Sequence, residues 1–132
     1  MPRLALSLAA LALLTFFAFA AVDDAPPVVV KTVPESGDKN VDPAKVTEIR
    51  VTFSKKMTDK SWSWSTDTSV GEELPGTDKP HYLEDGKTCV MPVKLEAGKS
   101  YASWLNSNRF RNFKDAAGNP AVPYLLVFET KK

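Results

Sequence analysis

A single histidine, His81, limits the chemistry open to this 132-residue chain. Zinc ligation through a His-x-x-x-His pair needs two histidines. A Ser-His-Asp triad needs only one, but no Gly-x-Ser-x-Gly elbow presents a nucleophile, and His81 reads as an ordinary strand-surface residue. Paired carboxylates act as acid and base in glycosidases. The candidates Asp67, Glu72, Glu73 and Asp85 fall in turns or polar connections, where a charge is ordinarily just solvated. Asp115, with the carbonyl of Asn119, is a candidate calcium ligand, since that ion takes oxygens from loops. One Asp in Asp115-Ala-Ala-Gly-Asn-Pro120 is better read as a turn-maker. Gly-x-Gly-x-x-Gly and Gly-x-x-x-x-Gly-Lys are absent, so nucleotide binding has no support. We expect no catalytic residue, no cofactor and no metal site.

The aromatics are the remaining candidates. Trp62, Trp64 and Trp104, with Tyr82, are many for so short a chain, and exposed coplanar indoles are what sugars or peptides stack on. If Tyr101 points inward, a period of two puts Ser103 and Leu105 inward and Trp104 outward. Trp62 and Trp64 share a parity, but no neighbouring residue says which face they take. Facing outward they would form a three-ring platform with Trp104; facing inward, the preferred reading, they fill the core.

The elements that position these residues begin after the first twenty. Arg3 precedes an apolar run, residues 4–20, ending in Ala18-Phe19-Ala20, a small-x-small cleavage pattern, so residues 1–20 read as a signal peptide. An uncleaved anchor is the alternative, because the run is near the lower limit for spanning a bilayer. Cleavage leaves residues 21–132, one domain with a single core. Cys89 lies far from any lipid-attachment position, which favours soluble export without stable membrane insertion. It has no second cysteine to pair with and reads as a small buried hydrophobe. With Arg3 gone, 16 Lys and Arg face 16 Asp and Glu, interspersed, so no basic stripe favours nucleic acid.

From Pro26 the chain runs in short alternating stretches punctuated by Pro, Gly, Asn and Asp, as in a sandwich or barrel. Residues 27–33 read as an edge strand because prolines flank them. In residues 46–53, Ile49, Val51 and Phe53 take one face and Glu48, Arg50 and Thr52 the other. Residues 61–65 and 79–83 are short runs. Asp85-Gly86 is a hairpin turn into residues 87–93. A further strand ends near Leu105, residues 106–119 are loop with a helical turn at Phe110, and residues 123–130 close a set of about seven strands.

Taken in order, Val33-Pro34 with Gly37 and Val41, Ile49-Arg-Val-Thr-Phe-Ser54 with Met57, Asp85-Gly86-Lys-Thr88, Leu95 with Gly98 and Tyr101, Asp115-Ala-Ala-Gly-Asn-Pro120 and Phe128-Glu-Thr130 resemble the bacterial Ig-like domain of the SbsA type, a module of S-layer and other secreted or surface proteins. The resemblance implies an all-β, Greek-key, immunoglobulin-like sandwich in which these residues are structural and none is catalytic. Trp62, Trp64 and the insert at residues 106–114 depart from the pattern. Leu95-x-x-Gly98-x-x-Tyr101 also looks like a tyrosine corner. The expectation is a non-enzymatic module, secreted, periplasmic or at the cell surface, whose partner is a protein or envelope component. A carbohydrate-binding module using Trp62, Trp64 and Trp104 is the alternative.

Overall fold

The computed structural model describes residues 22–132 and, before them, Ala12 alone, so the expected signal peptide lies, but for Ala12, outside the described residues. After a 3-10 turn at Val22–Asp24 come seven strands: β1 Val29–Val33, β2 Glu48–Phe53, β3 Trp64–Thr66, β4 His81–Tyr82, β5 Thr88–Pro92, β6 Ser100–Leu105 and β7 Tyr124–Glu129. They form two antiparallel sheets, ordered β1-β2-β5-β4 and β3-β6-β7. This four-plus-three order is that of constant-type immunoglobulin domains.

Alternation explains the layers. In β2, Ile49, Val51 and Phe53 are buried while Arg50 is exposed, as a strand with one dry face requires. Phe128, Tyr101, Leu105 and Leu126 supply the opposing wall. The interior divides into two packed groups, one around Ile49, Tyr101 and Phe128, the other around Val51, Phe53, Cys89 and Phe113. Trp64 and Tyr124 touch both groups and join them.

The first strand sits at a sheet edge, as its prolines require, and a bulge at Val30 breaks its register. The corner is formed too. Tyr101 Oη accepts the backbone N–H of Glu96 at 2.9 Å, and Gly98 takes the left-handed turn at φ +66°. Thr130, the residue after β7, locks it, donating to Glu96 O at 2.6 Å and accepting Lys99 N–H at 2.9 Å. The polar connection after β3 lies against β6, where Ala102 N–H donates to Glu72 O. Gly71 allows that approach, since a Cβ there would lie 2.9 Å from the Ala102 nitrogen.

The expected helical turn at Phe110 is not there. Asn106, at φ +58°, turns the chain sharply at the end of β6, and its buried side chain donates to Phe113 O and Ala121 O while accepting Phe113 N–H. Ser107 then closes an irregular loop, donating from N–H to Phe110 O at 2.8 Å while its hydroxyl accepts Phe110 N–H. These contacts use the backbone groups a helical turn would need.

Candidate functional site

Cross-strand register decides where the three tryptophans point. Trp64 lies opposite Leu105, which is buried, so both face the interior; Ser65 lies opposite Trp104, so that pair faces outward. The Trp64 ring meets Phe113 edge-on, centroids 5.6 Å apart. Among the described residues its Nε1 has no oxygen or nitrogen acceptor, and it lies near the Cys89 thiol, a weak acceptor at best. Trp62 is half-buried against the same group. Trp104, half-buried on the opposite face, donates from Nε1 to Asp67 Oδ2 at 3.1 Å. The three rings therefore do not make one platform.

An open groove of about 400 Å³ runs beside β3. Trp62, Trp64, Pro80, Met91, Phe110 and Asn112 line it, together with Ser63 and Ser65. Phe110 is 49% exposed there, a large apolar surface left in water. Like Pro80, Met91 and Asn112, it is a groove residue that sequence reasoning missed, here because its loop has no period to mark it. A further hollow of about 300 Å³ lies beside Trp104, Arg109 and Pro123 on the other face.

The titratable candidates are engaged in structure. Asp85 Oδ1 accepts the N–H groups of Lys87 and Thr88, and its Oδ2 accepts the Thr88 hydroxyl at 2.7 Å. That hydroxyl bond, then the Lys87 amide, draws its carboxyl below the usual range. Asp67 is drawn down likewise, by the Ser69 hydroxyl and then the Trp104 indole. Glu72 pairs with Lys99 at 3.1 Å, while Glu73 and His81 are exposed. Asp115 is buried: desolvation would raise its carboxyl, but Lys55 Nζ at 2.7 Å and the Asn119 side chain hold it at about 2. The same Nζ donates to Asp23 O and Ala25 O, each at 2.8 Å, pinning the start of the domain. Asp115 is thus an ion-paired turn-maker. Burial pushes the Cys89 thiol up to about 12, as for a core residue. Among the described residues, no group of three or more His, Cys, Asp or Glu is placed to hold a metal ion.

Two antiparallel sheets in this order, closed by a tyrosine corner, define an immunoglobulin-like β-sandwich. The chain belongs to the bacterial Ig-like domain family, whose model matches residues 23–130. Among solved structures it is similar in fold to the S-layer protein rSbsC(31-844), at 20% identity and TM-score 0.52, and to the surface layer protein SbsC, domains 1-6, at 22% and 0.51. Each likeness covers 83% of this chain and 14% of the other. No curated protein sequence matches.

Proposed function

We propose that this chain is an exported, non-enzymatic Ig-like module with a structural, adhesive or protein-binding role at the cell envelope or outside the cell. The observation that carries the reading is how its polar side chains are spent. Tyr101, Thr130, Asn106, Asp115 and Asp85 all hydrogen-bond within the fold, where they brace corners and loops. Membership of the bacterial Ig-like family and a fold shared with S-layer domains point the same way. Export itself rests on the leader-like pattern of residues 1–20.

The test is co-sedimentation of the purified protein with washed envelope fragments of its own host, before and after protease treatment of the fragments. Retention that protease abolishes is expected. Absence of retention contradicts a role at the envelope. Retention that survives protease but is competed by soluble oligosaccharides favours the carbohydrate-binding alternative, for which Trp62 and Phe110 beside the groove are the available rings.

A further inference from the structure

We propose that the free edge of β3 receives an extended segment of a partner protein, which pairs with it as an added strand and sets its side chains in the Trp62–Phe110 groove. The inference rests on the binding-module reading above and specifies its partner.

The geometry of the edge carries it. Asn106 N–H donates to Ser63 O at 3.1 Å, and the ladder continues as Trp64 opposite Leu105 and Ser65 opposite Trp104. In an antiparallel pair the hydrogen-bonded positions alternate, so Ser63 and Ser65 bond to β6 while the N–H and C=O groups of Trp64 and Thr66 point away from it. β3 has β6 as its one neighbour in the sheet, and among the described residues no other backbone group bonds Trp64 or Thr66. The groove is lined by Trp62, Ser63, Trp64 and Ser65 in succession. Residues of both parities border it, so it follows the strand's edge rather than one face.

The other edges are covered, bulged or shorter still. β7 is covered by the chain after β1: Gly37 N–H donates to Val127 O, Val127 N–H to Ser36 Oγ, and Glu129 N–H to Asp38 O. β1 carries the Val30 bulge between Pro27 and Pro34, and β4 is two residues long behind Pro80. Unpaired main-chain donors and acceptors beside an apolar groove are what an extended peptide recognises: the backbone supplies affinity and alternate side chains supply selectivity.

The test is selection of displayed random linear dodecapeptides on the purified protein, followed by binding to variants and by amide hydrogen exchange. Peptides with apolar residues at alternate positions are expected, and binding them should slow exchange at Trp64 and Thr66. Thr66→Pro removes one outward N–H and no bond to β6, and should weaken binding roughly tenfold, as should Phe110→Ala. If the proline variant misfolds, the exchange measurement on the unaltered protein still decides. No selected peptide, unchanged exchange at Trp64 and Thr66, binding of oligosaccharides alone, or a homodimer that Thr66→Pro dissolves would each overturn the inference. A cytoplasmic location would sink the functional reading and leave this pairing untouched.

Discussion

Tyr101 anchors the turn between β5 and β6 by accepting Glu96 N–H at its phenol oxygen, 2.9 Å away, with its ring 5.6 Å from that of Phe128 in the core. One side chain thus fixes a crossing between the sheets and fills the space beneath it. Tyr101→Phe keeps the ring and deletes the acceptor, leaving the Glu96 amide to find water. A loss of about 1–2 kcal/mol is expected, read as a lower urea midpoint with unchanged slope.

Phe113 comes from a loop and is nevertheless fully buried, 5.0 Å from the Phe53 ring. Phe113→Ala and Phe53→Ala should each cost roughly 3–5 kcal/mol, since each empties a site that facing sheets cannot collapse to fill. Equilibrium denaturation measures both. A loss under about 1 kcal/mol for Phe53 would mean that the register of β2 is wrong.

Much of this was legible in the sequence, and the gaps have physical causes. Ile49, Val51 and Phe53 declare their face because a strand's period repeats within six residues. Asp85-Gly86 and the Leu95, Gly98, Tyr101 spacing declare their turns because those conformations demand particular residues. Phe113 and Asn106 gave no such sign: they lie in a loop without a period, and their partners are set by tertiary contacts. Trp62 and Trp64 shared a visible parity, but the face became fixed only through Leu105, some forty residues on. Lys55 and Asp115 are separated by 60 residues, and no local pattern joins them.

Asp115 makes the fold acid-sensitive. Its carboxyl titrates at about 2 in the folded domain against an ordinary 3.8, so the unfolded chain takes up the proton first. The stabilisation is complete above about pH 4 and is lost as pH falls from there through about 2. Asp67 and Asp85 are lowered too and act in the same direction. Thermal melts of Asp115→Asn across that range should show a shallower acid limb than the parent protein, not a flat one.

Acrylamide quenching of single-tryptophan variants separates the rings. Trp64, wedged between both core groups, should be quenched least, and Trp104, on the outer face beside Asp67, more strongly. A fully shielded Trp104 would refute the β3–β6 register on which both the groove and the open edge depend.

The most direct measurement of the central claim is the fate of the full chain when its gene is expressed from Met1 in a bacterial host, followed by fractionation and intact mass. Protein outside the cytoplasm that begins at Ala21, within a residue or two, is the expected result. Full-length protein retaining Met1 in the membrane or the cytoplasm would contradict it.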